Sequence, residues 1–277
     1  MVTMTGAPES SEVPRLPRID TTVPHSARIW NYWLGGKDHY AVDREAGDQF
    51  AAVYPGIFDL ARLSRYFLGR VIRHLAGEAG VRQFLDIGTG LPTADNTHEV
   101  AQRVDPAARI VYVDNDPLIL AHANALLISD PRGATAYIEA DLLDPETIIR
   151  QARTTLDFEE PVALILMQVL GHVSNADGDK QARAIVNGLM DALPPGSYLA
   201  LNESADTNVL NAKATGLYNE SGGAPYFLRD PEQIVGLFEG LELVEPGVVP
   251  IQDWRPDPNP FGSPAEVGVW GGVGRKA

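Results

Sequence analysis

Apolar positions follow two different periods along this chain. Between residues 56 and 76, Ile57, Leu60, Ala61, Leu68, Val71, Ile72 and Leu75 recur at helical spacing and predict one long amphipathic helix. Arg62, Arg65, Arg70 and Arg73 fall mostly off that stripe and read as its solvated face, with a phosphate- or nucleic-acid-binding surface as the competing reading. From residue 81 the pattern becomes short apolar runs, each closed by a polar residue. Phe84 to Ile87 leads into Gly88-Thr89-Gly90, Ile110 to Val113 ends at Asp114, and Ala136 to Ile138 leads to Asp141. Val162 to Met167 ends at Gln168, and Tyr198 to Leu201 ends at Asn202 and Glu203. Continuous apolar runs of this length predict strands covered on both faces. Asp116-Pro117, Asp144-Pro145 and Asp230-Pro231 each place a capping side chain before a first-turn proline, and so predict helix starts between the strands.

The spacing is regular. Asp86 to Asp114 is 28 positions, and Asp114 to Asp141 and Asp141 to Gln168 are 27 each. One βα unit fits that stride. Side chains at equivalent positions differ, so this is the rhythm of a doubly wound α/β sheet and not a sequence repeat. Right-handed crossovers then place the polar strand ends along one edge, where ligands of such sheets bind. Leu241 to Val249 reads as a further strand, and Val267 to Arg275 as a glycine-rich last strand. The Pro-rich loop between them allows an antiparallel pairing. The expected architecture is a mixed sheet of seven strands with helices on both faces. Residues 1–24 carry four prolines and read as a mobile tail. Residues 25–78 read as an N-terminal helical cover over the sheet edge, and 79–277 as the α/β domain.

Composition narrows the chemistry. The 277 residues include 37 acidic and 22 basic side chains and no cysteine, for a net charge of −15. A 44% apolar content is enough for a core. The lack of cysteine removes disulfides, thiolate nucleophiles, zinc fingers and iron–sulfur clusters. The acidic balance argues against a general nucleic-acid binder. No run approaches the roughly 20 apolar residues of a spanning helix, and the N-terminus lacks a signal-peptide pattern. A cytoplasmic protein without a membrane partner is expected.

The central motif is Asp86-Ile87-Gly88-Thr89-Gly90 at the end of the first strand of the sheet. Its glycines let a ligand approach the backbone, and a helix starting near Thr93 would offer free N–H groups. A dinucleotide fingerprint needs a third glycine where Thr93 stands, and a P-loop needs a Gly-Lys-Ser/Thr that is absent. Asp86 would oppose a pyrophosphate but suits a cation, such as a ligand carrying an ammonium and a sulfonium.

Asp86-x-Gly88-x-Gly90, with Asp114 after the second strand and Asp141 after the third, resembles the S-adenosylmethionine site of class I methyltransferases, which have a Rossmann-like fold. The strings Leu34-Gly35-Gly36-Lys37-Asp38, Phe84 to Thr93 and Val111 to Pro117 resemble a narrower group, a domain-of-unknown-function family labelled S-adenosyl methyltransferase. The resemblance covers about residues 20–277. It implies a methyl transferase that uses S-adenosylmethionine, yields S-adenosylhomocysteine and acts on a small-molecule acceptor. Carried over, it places Gly88 and Gly90 against the methionine part of the cofactor and Asp86 toward its amino group. Asp114 would accept from the ribose hydroxyls, as a two-oxygen acceptor can. Asn115 would flank the adenine, and Asp141 would accept from its amino group with Leu142 nearby. Gln168 would border the methionine or the acceptor. The third glycine of the common pattern is missing.

Methyl transfer needs alignment first, and an oxygen acceptor needs a base as well. His172, after the fourth strand, is one candidate base, with a locally packed histidine as its competing reading. His39, Asp38 and Tyr40, after the Gly35-Gly36 turn, are others, with turn and cap roles competing. Trp30, Tyr32 and Trp33 either pack as core or meet ligand. No metal site is expected: His98-Glu99 lacks a second histidine, and Asn175, Asp177 and Asp179 lack the glycine and glutamate of a calcium loop. An adenosyl-ligand-binding module without turnover and a nicotinamide-dependent oxidoreductase are the alternative functions, and the oligomeric state is open.

Overall fold

A computed structural model describes residues 19–93, 95–116, 118–119, 129–258 and 266–277. The N-terminal part is helical: α1 (Ser26–Trp33), α2 (Ala41–Val53) and α3 (Ile57–Gly77). Strands and helices then alternate: β1 (Gln83–Ile87), α4 (Thr97–Val104), β2 (Arg109–Asp114), β3 (Ala134–Glu139), α5 (Pro145–Ala152), β4 (Val162–Met167), α6 (Lys180–Asp191) and β5 (Tyr198–Ser204). The chain ends with α7 (Val209–Asn219), α8 (Pro231–Gly236), β6 (Glu242–Leu243), β7 (Val249–Pro250) and β8 (Val269–Arg275).

The sheet order is β3-β2-β1-β4-β5-β8-β6, with β7 also paired to β8. The first five strands are parallel, and β8 is antiparallel to β5, β6 and β7. This is the doubly wound mixed sheet that the apolar runs predict, with one difference. Leu241 to Val249 is not one strand. Pro246 lacks a ladder donor, Gly247 adopts a φ of 90°, and the segment divides into β6 and β7, giving eight strands among the described residues.

Alternation along the strands explains the two layers. Phe84, Ile110, Tyr112, Ala163, Ile165 and Ala200 face a core shared with α1 to α4 and α7. Leu85, Ile87, Val111, Val113, Leu164, Leu166 and Leu199 face a second core shared with α5, α6 and α8. β1, β2, β4 and β5 are therefore apolar on both sides, and helices cover both faces. All seven apolar residues of the predicted stripe on α3 are buried. Its arginines divide. Arg62 and Arg73 are solvated, but Arg70 is buried and donates to the carbonyls of Trp254 (2.9 Å) and Ile251 (2.5 Å). Its aliphatic stem permits that burial once the guanidinium finds acceptors.

Two of the three predicted caps are seen whole. Asp144 accepts from Thr147 N at 3.0 Å and Asp230 from Gln233 N at 2.8 Å. Asp116 accepts from Leu118 N at 2.9 Å, while Pro117 lies outside the described residues. So do residues 1–18 of the expected tail. Residues near its end are held, because Arg28 donates to the carbonyls of Asp20 (2.9 Å) and Val23 (3.0 Å). Among the described residues no helix is long and apolar enough to cross a membrane.

Candidate active site

The strand order reverses direction between β1 and β4, because the chain runs outward from β1 through β2 to β3 and then returns to β4. A crevice opens at such a switch point, outside the carboxyl ends of the strands. Here it is a cavity of about 380 Å³, within the roughly 300–1,000 Å³ of small-molecule sites. Asp86, Gly88, Gly90, Asp114, Asn115, Asp141, Leu142 and Gln168 all line it. Eight positions spread over 83 residues of sequence, 86 to 168, thus meet around one space.

The loop after β1 explains the glycines. Gly88 and Gly90 hold φ values of 72° and 63°, in the left-handed region that favours glycine. A side chain on Gly88 would overlap Val169, whereas a Cβ on Gly90 meets nothing nearer than Ala27 at 4.0 Å. The space above Gly90 is the cavity itself. Asp114 ties the loop together: one oxygen accepts from Gly90 N at 2.9 Å, the other from Asp116 N at 3.0 Å. Each oxygen keeps a further lone pair.

The helix expected near Thr93 starts later, at Thr97. Asn96 holds Thr93 outside it by accepting from Thr93 N (3.1 Å) and donating to Thr93 O (2.6 Å). Glu99 accepts from Asn96 N at 2.8 Å, a reciprocal cap that fixes the first turn. Thr97 then turns its hydroxyl onto Asp86, at 2.6 Å.

Two carboxyls in this half are electrostatically costly. Burial pushes Asp86 up to about 6, while the Thr97 hydroxyl and the nearby Arg65 guanidinium oppose the rise. Burial also raises Asp114, against the two backbone N–H donors that hold it. A cationic group placed between them would relieve both. Arg65, read in sequence as a solvated residue, borders this cavity instead.

The other half is walled by the N-terminal helices and by β4, β5 and α7. Trp30, Trp33 and Phe50 line it, with Trp33 at 5.9 Å from Trp30 and 5.1 Å from Phe50 by ring centroids. Tyr32 does not line it; its hydroxyl donates to Asp48 at 2.5 Å. Gln168 Nε2, Ser64 Oγ, Asn211 Nδ2 and Tyr218 Oη are buried atoms of lining residues with no partner among the described residues. A ligand that fills the cavity can take them up.

The four candidate bases separate. His172 lines the cavity, its Nδ1 lies 3.0 Å from the Pro225 carbonyl, and burial lowers its pKa. Asp38, His39 and Tyr40 do not line it. The Asp38 backbone is held by Asn31, the His39 ring packs edge-on to Tyr32 at 5.2 Å, and Tyr40 N donates to Asp43 to start α2. The charged turn after Gly35-Gly36 thus builds the α1–α2 connection. Asp179, a member of the sequence's weak calcium-like pattern, is buried in an ion pair with Arg229 at 2.9 Å. Among the described residues no cluster of three or more His, Asp or Glu could hold a metal.

Ser204, Asn211 and Tyr226 are among the lining residues that a sequence reading misses. Beside them sits Glu203, wholly buried at the end of β5. Its one signal in the sequence is that β5, like its neighbours, ends in polar residues.

Residues 13–277 match the family described as S-adenosyl methyltransferase. A DUF574 family protein from Streptomyces avermitilis is 43% identical, with a TM-score of 0.89 over 94% of this chain and 100% of that one. A candidate methyltransferase from Thermobifida fusca is 42% identical, with a TM-score of 0.86 over 96% and 99%. A SAM-dependent methyltransferase from Anabaena variabilis shares the fold at 16% identity, with a TM-score of 0.50 over 75% and 83%. No curated protein matches the sequence.

Proposed function

The chain belongs to the S-adenosyl methyltransferase family, and from that premise we propose that it transfers a methyl group from S-adenosylmethionine to a small organic acceptor held in the same cavity. The observation that carries this reading is the convergence of Asp86, Gly88, Gly90, Asp114, Asn115, Asp141, Leu142 and Gln168 on one space at the switch point. S-adenosylmethionine supplies an electrophilic methyl group on a sulfonium sulfur and leaves as S-adenosylhomocysteine.

The chain's own residues divide the work. Asp86 offers a buried carboxylate to the ammonium end of the cofactor, and the left-handed Gly88 and Gly90 clear space beside it. Asp114 accepts from the ribose hydroxyls with the lone pairs its backbone donors leave free. Asn115 flanks the base, and Asp141 and Leu142 close its far side. The cover formed by residues 25–78 keeps water from the aromatic half, since α1 and α3 supply much of its wall. His172 stands as a candidate base at that end, since it lines the cavity and Asp38, His39 and Tyr40 do not. The aromatic wall and the enclosed volume favour a small, largely apolar acceptor. A charge of −15 disfavours a nucleic acid.

Release of S-adenosylhomocysteine from S-adenosylmethionine, followed by mass spectrometry in the presence of fractionated small-molecule extracts, tests the reading. The expected result is product formation with one fraction, lost in Asp114→Ala. Tight binding of S-adenosylmethionine without turnover in any fraction would favour a binding module instead.

A further inference from the structure

Glu203 is wholly buried and does not itself line the cavity. Its Oε1 accepts from Leu170 N at 2.8 Å, and its Oε2 lies 2.9 Å from the Tyr226 hydroxyl. The same hydroxyl lies 2.6 Å from Gln168 Oε1, which also accepts from Ser204 Oγ at 2.9 Å. Gln168, Ser204 and Tyr226 all line the aromatic half of the cavity.

The proton count of this cluster is informative. A tyrosine hydroxyl carries one proton and can satisfy only one of two acceptor oxygens. Both short contacts are satisfied when Glu203 carries a proton: it donates to the Tyr226 oxygen, and Tyr226 donates to Gln168. With Glu203 ionised, Tyr226 donates to Glu203 and the Gln168 amide turns over to donate back. The two arrangements differ by one proton and by which edge of the amide is left over. In the arrangement seen, that edge is Nε2, buried and without a partner among the described residues.

The cluster is rigidly held. A side chain on Gly171 would overlap the Tyr226 ring, so glycine alone allows the ring to sit there. Gly171 O also accepts from Phe227 N at 2.7 Å. The charged and titratable groups facing the cluster are few. Arg229 is paired with Asp179, and the His172 ring stands edge-on to Tyr226 at 5.3 Å. Burial lifts Glu203 to about 7, opposed by Arg229, the Tyr226 hydroxyl and the N–H groups of Leu170 and Gly171. A carboxyl there can both accept and return a proton near neutral pH.

We propose that Tyr226 and Glu203 form a proton relay for the acceptor end of the cavity, and that the acceptor carries an ionisable hydroxyl set against the Tyr226 oxygen. The acceptor O–H bond breaks and its electron pair stays on the acceptor oxygen. The proton joins the Tyr226 oxygen as Tyr226's own proton passes to the Glu203 carboxylate. Tyr226 is neutral before and after, and Glu203 becomes a carboxylic acid. The relay rests on the assignment of this half of the cavity to the acceptor. It acts through Tyr226, with Glu203 as the store.

The probe is 4-nitrophenol, whose visible absorbance distinguishes phenol from phenolate, bound to the full-length wild type, Glu203→Gln and Tyr226→Phe. At a fixed pH near 7, phenolate formed on binding should release almost no proton to the solution in the wild type, because Glu203 keeps it, but about one proton per phenolate in Glu203→Gln, with Tyr226→Phe releasing more than the wild type. An infrared carboxylic-acid band should grow with the phenolate and be missing in Glu203→Gln. Equal proton release per phenolate in the wild type and Glu203→Gln, or no bound phenolate in the wild type, would overturn the relay. S-adenosylmethionine titrated into the same samples should bind all three alike. A wild type that fails to bind it would refute the methyltransferase reading, while the probe's result would still decide the relay.

Discussion

Replacing Asp86 by Asn removes a buried charge while keeping an acceptor for the Thr97 hydroxyl, now 2.6 Å away. Burial lifts this carboxyl from 3.8 to about 6. A rise of roughly two units means that holding the ionised form at neutral pH costs the fold about 3 kcal/mol. Between pH 3.8 and about 6 the folded chain binds the extra proton, so the stability due to Asp86 falls as pH rises through that window. Arg65, whose field opposes the shift, loses an anion in the variant, which offsets part of the gain. A net stabilisation of about 1–2 kcal/mol remains for the unliganded protein, or roughly 2–8 °C in melting temperature. The same change should weaken S-adenosylmethionine by about 10- to 150-fold, the loss of a hydrogen bond to a charged group worth about 1.5–3 kcal/mol. Thermal unfolding of the free proteins and calorimetric titration of the ligand measure both. A variant that melts at or below wild type and binds with unchanged affinity would refute the assignment of Asp86 as a charge reserved for a cation.

Three further outcomes follow from the same geometry. Wild-type affinity for S-adenosylmethionine should fall up to tenfold per pH unit below about 6, as Asp86 takes up its proton, and Asp86→Asn should flatten that slope in titrations at several pH values. Gly88→Ala must hold a φ of 72° and displace Val169, which should cost at least about 1–3 kcal/mol in urea unfolding and impair ligand binding. Arg229→Leu leaves Asp179 buried without its partner and should cost about 3–5 kcal/mol by the same urea measurement, more than the loss of any surface pair.

The strands and the ligand loop were legible because their signals are local. The parallel strands are short apolar runs, and the polar residues at or after the ends of the first four, Asp86, Asp114, Asp141 and Gln168, line the cavity. Leu241 to Val249 misled because its apolar content is strand-like while Pro246-Gly247 breaks the ladder in the middle. Arg70 misled for a different reason. Its acceptors are carbonyls 181 and 184 residues away, and no helical periodicity reveals them. The turn at Asp38, His39 and Tyr40 carries reactive side chains, yet local hydrogen bonds absorb it and leave it away from the cavity. Conversely, Glu203 and Tyr226 are 23 positions apart and meet because Gly171 offers no side chain between them. That pairing is a tertiary fact, invisible to spacing.

The central claim, that the cavity is built for an adenosyl sulfonium ligand, is tested most directly by thermal unfolding with S-adenosylmethionine, S-adenosylhomocysteine and NADH in wild type and Asp114→Ala. A ligand at 100 times its dissociation constant stabilises by about 2.7 kcal/mol, a shift of several degrees for a chain of this size. The expected result is that shift with the two adenosyl compounds, its loss in Asp114→Ala, and none with NADH. A shift with NADH alone, or none with either adenosyl compound on folded protein, would contradict it.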